Sequence, residues 1–563
     1  MTSTTAAATT WQARAETKQA AREALLPADT ILPPGLVTDQ TTDVTAIPRT
    51  SGLLSAHELE ITESETPAIL AKLASGEWTS EAVTRAFCRR ASIAHQLTNC
   101  LTEIFFDKGI ARAKALDEEF KRTGKARGPL HGLPVSLKEQ IGVAGVERSF
   151  GFVGFIGRVA EVDSALVEIL LAQGAIPYCA TNIAQGLFFG EAVNNVFGET
   201  VNPYNRKLTP GGSSGGEGAL LALRGSPLGV GSDIGGSVRI PAGHCGLYSL
   251  RPSYQRIPYE GTCNSQEGQD SIRSVLGPMS TSLGAVKTLF KSVLDAQPWR
   301  LDPQVLRQGW REEGYALADH GHDQGLVFGM MWDDGSVRPA PPYARAMTEV
   351  KAALEAAGHK VVDFVPYEAA EGTAIMYESF GGDGMRDLFD TLALSGEPRV
   401  GPQADQPQGT ELTITQWWSL HARKGRWLKG QLDAWNATSK TTGTGRAVDA
   451  IICPVAGGPA QVLRTPQYHT YTHWCNVADF PAVAIPVTRV DPALDPKVER
   501  SDYHGDMDKH FWEQYDPQVY ANSPIGLQVV AQKGEDEAVL AMAEIVDNAL
   551  KAHRAAHGTT DPS

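Results

Sequence analysis

The chain has 563 residues with a net charge of −15; 42% of its residues are apolar and 20% are charged. This is the composition of a folded protein, and the length allows one large α/β domain or several ordinary ones. No run of Lys and Arg offers the basic face that nucleic acids require, and no stretch approaches about 18 uninterrupted apolar residues, so we expect neither a nucleic-acid partner nor a membrane partner.

The cysteines and the N-terminus predict the compartment. The seven cysteines are scattered, with no C-x-x-C pair, which argues against a disulfide framework or a structural zinc site and favours a reducing environment. The first residues lack the charged and apolar blocks of a secretory signal, and Glu16 and Glu23 disfavour a mitochondrial presequence. These features predict a cytoplasmic protein.

The first part of the chain predicts an arm followed by helices. Residues 1–52 combine a short helix with a tract rich in Pro, Thr and Asp that is expected to lie extended on the surface. From Glu58 onwards apolar residues recur at helical spacing, stop at Ser75–Gly76 and restart behind the N-cap candidate Thr79. A charged helix is predicted in KGIARAKALDEEFKRTG, and GPLHGLPVSLKEQIGV predicts a turn and a buried strand.

Further along, helical and strand-like segments alternate. Helices are predicted in DSALVEILLAQGA, SLGAVKTLFKSVLDA, ARAMTEVKAALEAAG (with Gly358 as its C-terminal cap) and EDEAVLAMAEIVDNALKAH. Strands are predicted in IPYCATN, HKVVDFVP, VDAIICPV, FPAVAIPVTRV and SPIGLQVVAQ. This alternation indicates a layered α/β sandwich around a mostly buried sheet. The strands are dispersed from residue 130 to 531, which favours one large domain, and residues 365–447 are predicted to be a helical insertion that caps a pocket.

Four roles are considered for the segment Pro210–Pro241, PGGSSGGEGALLALRGSPLGVGSDIGGSVRIP, whose two glycine–serine clusters have no parallel elsewhere in the chain. A flexible linker would not enclose the apolar runs ALLAL and PLGVG. The phosphate-loop and dinucleotide-binding patterns are both absent. A structural tight turn stays open. A catalytic loop fits better, because glycines beside a serine let backbone N–H groups converge on an oxyanion.

The second cluster predicts a nucleophile and its oxyanion hole. The amides of Ile234, Gly235, Gly236 and Ser237 are the candidate lining, and Ser237 Oγ is the candidate nucleophile. A serine hydroxyl needs a base. No G-x-S-x-G elbow is present, and no histidine is obviously placed to act as that base.

The segment GGSSGGEGALLALRGSPLGVGSDIGGSVRIPAGHCGLYSLRPS closely resembles the core of the amidase signature family, and in particular its fungal acetamidase-type and general amidase members. The resemblance continues, in the family's order, through KLASGEWTSEAVTRAFCRRA, GPLHGLPVSLKEQ, VNNVFGETVNPYN, SVLGPMSTS, VDAIICPVAGGPA, NVADFPAVAIPV and PIGLQVVAQ, and covers most of residues 55–550. It implies a large three-layer α/β/α sandwich around a mixed, mostly buried central sheet, with residues 53–555 as a single catalytic domain and 556–563 as a tail.

By this resemblance, Lys138, Ser213 and Ser237 form a Ser–cis-Ser–Lys triad. Ser237 matches the nucleophile, Ser213 the bridging serine on a cis peptide bond, and Lys138 the base. A lysine at its ordinary pKa of about 10.4 accepts no proton at neutral pH, but burial lowers that pKa by up to about 3–5 units. The resemblance therefore implies a buried lysine, and chemistry that needs no metal and no organic cofactor.

The resemblance also implies supporting residues. Asp233 and Arg239 match positions that organise the family's loops, and we expect a buried charge network there. Ser214 is expected to be a structural hydrogen-bonding residue. Glu139 and Gln140 are expected to support the base from the next layer of side chains.

The substrate pocket is the least defined part of the site. Leu187 matches a position that lines the acyl pocket and offers its backbone carbonyl to the substrate, and Phe188 and Phe189 extend that lining. The family often has Lys-Thr-Asn-x-Pro before this region, whereas this chain has ATNIA, so the resemblance says less about substrate size. Trp417 and Trp474 are further candidates for the pocket wall.

The predicted activity is hydrolysis of the C–N bond of carboxamides through a serine acyl-enzyme, with release of ammonia or an amine. Small aliphatic amides are the favoured substrates by resemblance, while carbamates or anilides would use the same triad with a different pocket. An ammonia-generating amidotransferase subunit and a catalytically inactive binding protein stay open as more distant alternatives. The expected partner is a small-molecule amide or carbamate, and a homodimer stays open.

Overall fold

The structure is a computed structural model that describes residues 10–321, 325–402 and 404–558. Residues 1–9 of the predicted arm and 559–563 of the predicted tail lie outside the described residues. Within the described ranges, no helix combines the length and the apolar character that a membrane crossing requires.

Helices alternate with strands along the chain, and several of the helices pack against the sheet. The helices are α1 (Trp11–Glu23), α2 (Ile47–Thr50), α3 (Ala56–Glu63), α4 (Thr66–Ser75), α5 (Ser80–Thr98), α6 (Phe106–Thr123), α7 (Ala165–Ala172), α8 (Gly215–Ala222), α9 (Arg239–Cys245), α10 (Leu283–Asp295), α11 (Glu312–Tyr315), α12 (Pro341–Ala356), α13 (Ala369–Phe380), α14 (Arg386–Ala393), α15 (Ile414–Ala437), α16 (Ser439–Thr442), α17 (Thr470–Ala478), α18 (Asp506–Gln514) and α19 (Asp536–His557). Short 3-10 turns are Ala28–Thr30, Val153–Phe155, Gln185–Leu187 and Pro298–Arg300.

The strands form one large mixed sheet and one small hairpin. They are β1 (Leu101–Ile104), β2 (Pro134–Lys138), β3 (Ile176–Thr181), β4 (Val193–Asn194), β5 (Gly198–Glu199), β6 (Gly229–Asp233), β7 (Tyr248–Arg251), β8 (Val275–Ser280), β9 (Val327–Met330), β10 (Lys360–Asp363), β11 (Ala450–Pro454), β12 (Ala482–Arg489) and β13 (Pro524–Val530). Among the described residues the large sheet has 11 strands in the order β1-β3-β2-β6-β8-β7-β12-β13-β11-β9-β10, and β4 pairs with β5.

This sheet confirms the predicted α/β sandwich with a mixed, buried sheet. Strands β3, β2 and β6 run parallel to one another, as do β11, β9 and β10, while the central pairs are antiparallel. Helices α8, α9, α10, α12 and α19 contact the strands. Most strands are buried along their whole length, which explains why the predicted strands have continuous apolar sequences.

Three local predictions are confirmed by the helix ends. Thr79 caps α5, because its Oγ1 accepts the N–H of Ala82 at 3.1 Å. Helix α4 ends at Ser75, and Gly76 follows in the left-handed region with φ +74°. Gly358, with φ +89°, stands two residues beyond the end of α12. A left-handed residue satisfies the last helical carbonyls, and glycine adopts it without steric cost.

The N-terminal arm is tied to the sheet. The short helix expected there is confirmed as α1, and its Arg22 is buried and donates to the carbonyl of Leu101 at 2.8 Å. The following tract is not extended throughout, since it contains the turn Ala28–Thr30 and α2.

The segment 365–447, for which a helical insertion is predicted, contains α13 to α16. Trp427 and Trp435 of α15 are buried in an apolar cluster that also holds Phe364 and Trp474. The insertion is therefore packed firmly onto the body of the protein. Its role as a cap stays a prediction.

Parallel pairing brings the carboxyl ends of three strands to one edge of the sheet. Lys138, the last residue of β2, is in register with Thr181, the last residue of β3, and the parallel neighbour β6 ends at Asp233. Functional side chains of α/β folds usually converge at this edge. The two glycine–serine clusters lie at the start of α8 and at the end of β6, so the fold places both of them here.

Glycines in β6 and β8 allow close approach between layers. A Cβ on Gly229 would lie 2.0 Å from Glu217 Oε2, and a Cβ on Gly231 would lie 2.7 Å from Ser214 Oγ. In β8, a Cβ on Gly277 would lie 2.1 Å from a backbone carbonyl oxygen of β7. These strands were not predicted, because glycine-rich runs are typical of loops; here the missing side chains make room for buried polar groups.

Gly216, in the first turn of α8, offers a test of this packing. A Cβ there would lie 2.3 Å from the backbone nitrogen of Asn182 and 2.7 Å from the carbonyl oxygen of Cys100. We expect Gly216→Ala to lower the free energy of unfolding by about 1–3 kcal/mol or more, since backbone atoms would have to shift. Equilibrium denaturation in urea measures the change.

The matched control is Gly425→Ala in α15. Gly425 is exposed, and a Cβ there meets nothing within 4 Å. Alanine should therefore raise the free energy of unfolding by about 0.5–1 kcal/mol through its higher helix propensity. Equal stability of the two variants would contradict the steric account of Gly216.

Candidate active site

Lys138, the base predicted by resemblance, is completely buried at the end of β2. Its Nζ lies 2.7 Å from Ser213 Oγ and 2.9 Å from Ser232 Oγ, and the ammonium form donates to both. Both distances are within the range for direct proton transfer. The structure thus brings Lys138 and Ser213 into contact.

Burial sets the charge state of this lysine. Loss of hydration disfavours the ammonium and lowers the pKa of Lys138 to about 7, although the charges of Asp233 and Glu217 act to raise it. Glu217 is itself fully buried, accepts hydrogen bonds from Ser136 at 2.6 Å and Thr181 at 2.8 Å, and has its pKa raised to about 7 by burial. A large share of Lys138 is therefore the neutral amine near neutral pH.

The first glycine–serine cluster carries Ser213 and Ser214. The peptide bond between Gly212 and Ser213 is cis. The N–H of Ser214 donates to the carbonyl of Ser237 at 3.3 Å, which joins the two clusters. Ser214 Oγ lies 3.4 Å from both the nitrogen and the carbonyl oxygen of Ser232 in β6. Both contacts of this hydroxyl are with the backbone, and the structural role of Ser214 stays a prediction.

Of the two residues that follow Lys138, only Gln140 connects to it. Ser232 Oγ, which contacts Lys138, donates to Gln140 Oε1 at 2.5 Å. Glu139 points elsewhere: its carboxylate accepts the N–H of Ser149 at 2.5 Å and the hydroxyl of the same residue at 2.9 Å. Both residues lie in the turn after β2, which is closed by the N–H of Ile141 donating to the carbonyl of Lys138 at 2.9 Å, and the turn sends the two side chains to different partners.

Asp233 and Arg239 form a completely buried bidentate ion pair. Arg239 Nε lies 3.0 Å from Asp233 Oδ2, and Nη2 lies 3.0 Å from Oδ1. Burial acts to raise the pKa of Asp233, but the guanidinium lowers it below its ordinary value. Arg239 also donates to Gln528 at 2.8 Å and to Asn476 at 2.7 Å. The expected charge network is present and ties the loop after β6 to β13 and α17.

The peptide unit between Gly235 and Gly236 is held at both ends. The N–H of Gly236 donates to Asp233 Oδ1 at 2.8 Å, and Thr472 Oγ1 donates to the carbonyl of Gly235 at 2.8 Å. Gly236 has φ +119°, and a Cβ on it would lie 2.4 Å from Thr472 Oγ1. Only glycine fits this position.

This arrangement reduces the number of N–H groups that can line the predicted oxyanion hole. Among the described residues, no acceptor is found for the amides of Ile234, Gly235 and Ser237. The amide of Gly236 is committed to Asp233 and is not free to bind an oxyanion. Three of the four predicted N–H groups thus remain as candidates, and Gly236 orders the loop instead.

Ser237 lies in a cleft of about 690 Å³, counting the open space at its mouth, and is 8% exposed. The predicted pocket residues Leu187, Phe188 and Phe189 line this cleft, but their role in binding stays a prediction. The remaining lining is Gly190, Gly212, Ile234, Gly235, Ile240, Met376, Tyr377, Phe380, Pro402, Gln467, His469 and His473.

Trp417 and Trp474 do not line the cleft, so that prediction was wrong. Trp474 is fully buried, and its Nε1 donates to Gln431 Oε1 at 2.8 Å. Trp417 stacks near His421, with ring centroids 5.2 Å apart. Both indoles pack the insertion onto the body of the protein, and Tyr377 of α13 provides aromatic surface in the cleft instead.

Sequence reasoning also missed polar residues of the site. Glu217 could have been noticed as the charged residue inside the glycine-rich run GGSSGGEGALL. Thr472, His469 and His473 lie on a segment far along the chain, and no local pattern marks them. The tertiary fold alone brings that segment to the loop after β6.

The chain from residue 82 to 540 matches the model of the family described as Amidase. An acetamidase from Emericella nidulans is 40% identical over 508 residues, which cover 89% of this chain and 92% of that protein. An acetamidase from Aspergillus oryzae is 39% identical over 507 residues, covering 90% of this chain and 93% of that protein. A solved structure of fatty acid amide hydrolase is similar with a TM-score of 0.89 and 30% identity, covering 96% of this chain and 95% of that one.

Asp233→Asn should destabilise the protein strongly. The substitution keeps the side-chain shape but leaves the buried guanidinium of Arg239 without its counter-charge, which costs about 3–5 kcal/mol. Urea denaturation measures the loss. Asp433→Asn is the matched control, because Asp433 pairs with Lys429 on the exposed face of α15 and such pairs contribute little. A loss no larger than the control's would show that the network does not support the loop.

Proposed function

The chain belongs to the amidase family and is a hydrolase that acts on amides, and we propose that it works through a serine acyl-enzyme. Ser237 Oγ attacks the carbonyl carbon, the C–N bond breaks, and ammonia or an amine leaves while the acyl group stays on Ser237 as an ester. Water then hydrolyses the ester to the free acid. The observation that carries the proposal is the 2.7 Å contact between the fully buried Lys138 Nζ and Ser213 Oγ.

The proton follows a relay in this mechanism. Neutral Lys138 takes the proton of Ser213 as Ser213 takes the proton of Ser237. When the tetrahedral intermediate collapses, the relay runs backwards and protonates the departing nitrogen. Deacylation repeats the cycle with water in place of Ser237. The support for this order is the lowered pKa of Lys138, which makes the amine available near pH 7.

The amides of Ile234, Gly235 and Ser237 are proposed to bind the oxyanion. Their support is the clamped peptide unit between Gly235 and Gly236, which keeps this loop in one conformation before substrate arrives. Donors that are already oriented stabilise the developing charge without reorganisation.

The proposed substrates are small aliphatic carboxamides. The cleft supports this choice through apolar side chains such as Leu187, Ile234 and Met376 beside the nucleophile. The rings of Phe188 and Phe380 in the same cleft favour carbamates or anilides as the second candidate class. An amidotransferase subunit is a remoter alternative.

We further propose that the enzyme is cytoplasmic, uses no cofactor, and takes no nucleic acid or membrane as partner. A homodimer stays open as its oligomeric state.

Ser237→Ala should abolish hydrolysis. The test is a panel of short amides, anilides and alkyl carbamates, together with mass-spectrometric mapping of a serine-directed covalent inhibitor, which should label Ser237 alone. Ser419→Ala, at an exposed serine of α15, is the control and should keep wild-type turnover and labelling. Substantial activity of Ser237→Ala, or labelling at another residue, would overturn the nucleophile assignment.

Lys138 should impose a pH limit on activity. Below its pKa of about 7 the lysine is protonated and accepts no proton, so kcat/KM should fall as the pH decreases through about 7 and level off above it. Lys138→Met should lose about 10²–10⁴-fold in kcat, whereas Lys121→Met, at an exposed lysine of α6, should leave kcat unchanged. A pH profile that is flat through 7 would mean that another group is the base.

A further inference from the structure

One end of the cleft is polar, unlike the rest of its wall. Gln467, His469 and His473 line it and come from a single short segment at the start of α17. Other parts of the lining are apolar and include the side chains of Phe188 and Met376. No step of the proposed mechanism uses the polar group of three.

These three side chains have hydrogen-bonding capacity that the protein leaves unused. Gln467 Oε1, His469 Nε2 and His473 Nδ1 are buried atoms without a hydrogen-bond partner. His473 is only 5% exposed. Buried polar atoms are nearly always paired in folded proteins, so a cluster of unpaired ones in the cleft beside Ser237 indicates a site that can bind a polar group.

The orientation of this cluster is set by its neighbours. Gln467 Nε2 donates to Glu191 Oε1 at 3.0 Å, which fixes the side-chain amide and leaves Oε1 as the open acceptor. A Cβ on Gly190 would lie 2.3 Å from Gln467 Oε1 and 2.7 Å from His469 Nε2, so the two polar atoms converge above this glycine. The rings of His469 and His473 follow, with centroids 5.9 Å apart.

The cluster lies next to the reacting group. A Cβ on Gly235, whose amide is a proposed oxyanion donor, would lie 3.5 Å and 3.6 Å from Cδ2 and Nε2 of His473. On its other side, the ring of His473 meets the edge of Tyr377. A substrate bound at Ser237 therefore places groups close to its scissile bond against these side chains.

The ligand is expected to be uncharged. Burial lowers the pKa of His469 to about 4 and that of His473 well below its ordinary value, so both imidazoles are neutral near pH 7. The charges of Arg239 and Asp233 act in opposite directions on the pKa of His473, and the two groups are paired with each other. Glu191, which accepts from Gln467, has its pKa raised to about 7 by burial, so its charge is reduced near pH 7. Neutral imidazoles each offer one donor and one acceptor.

We propose that Gln467, His469 and His473 form a polar subsite that binds an uncharged hydrogen-bonding group, a hydroxyl or a primary amide, which the substrate carries near its scissile bond. The inference rests on the proposed function and narrows its substrates to aliphatic amides with such a substituent. An apolar substituent at the same place would leave the three polar atoms unpaired, and sites of this kind reject analogues that lack the hydrogen-bonding group.

Two matched pairs of substrates test the subsite, because a hydroxyl and a methyl group have similar size. On the acyl side, β-hydroxybutyramide is compared with isovaleramide; on the amine side, N-hydroxyethylbutyramide is compared with N-propylbutyramide. We expect wild-type kcat/KM to favour the hydroxyl compound by about tenfold in one of the two pairs, as one to two hydrogen bonds would give. The pair that shows this preference identifies whether the subsite lies on the acyl side or the amine side of the scissile bond.

Variants assign the preference to the residues. His469→Leu and His473→Leu should reduce the ratio of kcat/KM values to about one, while His469→Gln and His473→Gln, which keep a donor and an acceptor, should retain part of it. Phe380→Leu alters the apolar wall of the same cleft and should leave the ratio as in the wild type. Thermal unfolding verifies that each variant is folded. If a Leu variant does not fold, the Gln variant of the same histidine is used in its place.

A wild-type ratio of one or less in both pairs would overturn the proposal, as would a preference that the histidine variants leave intact. Failure of the proposed function is distinguishable, because it would appear as the absence of amide hydrolysis or as activity in Ser237→Ala. If Ser237→Ala is active, the ratios of kcat/KM values still decide the subsite; if amide hydrolysis is absent, calorimetric binding of the same pairs to the wild-type protein decides it. Tighter binding of a hydroxyl compound that is lost in His473→Leu supports it, and equal binding within both pairs overturns it.

Discussion

The site depends on one constraint, the burial of Lys138 among hydroxyl groups. Its Nζ has two serine oxygens as partners, and among the described residues no carboxylate forms an ion pair with it. The two nearest buried acids are occupied elsewhere, since Asp233 is paired with Arg239 and Glu217 accepts two hydroxyls. An ammonium would therefore lack both water and a counter-charge, whereas a neutral amine fits a hydroxyl environment.

That constraint explains the glycines of the surrounding strands and loops. Bringing a carboxyl group, two serines and a lysine together without water requires adjacent backbones to approach more closely than side chains permit. At Gly229 a Cβ would almost coincide with the Glu217 carboxyl, and at Gly236 it would strike Thr472. The glycines at these positions are thus a consequence of packing polar groups in a dry site, and they also order the loop that presents Ser237.

The sequence predicted the parts of the structure that depend on local pattern. Helix α5 with its cap Thr79, the apolar strands β2, β3, β11, β12 and β13, and the mixed α/β sandwich are confirmed. The resemblance pointed to Lys138 and Ser213, which the fold brings into contact. Strands β6 and β8 were missed because their glycines are placed for tertiary contact and carry no strand pattern. The polar end of the cleft was missed for a related reason: His469 and His473 acquire their position only when α17 packs against the loop after β6.

The proposed triad and the cleft walls come from different parts of the fold. Lys138, Ser213 and Ser237 stand at the carboxyl edge of the parallel strands, while the walls come from the turn at Leu187, from α13 and from the start of α17. Among the described residues, side chains in the first two walls form no hydrogen bond with Lys138 or Ser213, so substitutions there leave the contacts of the proposed relay in place. Helix α17 is the exception. Its Thr472 holds the carbonyl of Gly235, and the next residue, His473, lies in the cleft. The same helical turn therefore orients the proposed oxyanion hole and lines the cleft. A substitution that changes this end of the cleft is expected to affect the position of the Gly235 carbonyl as well.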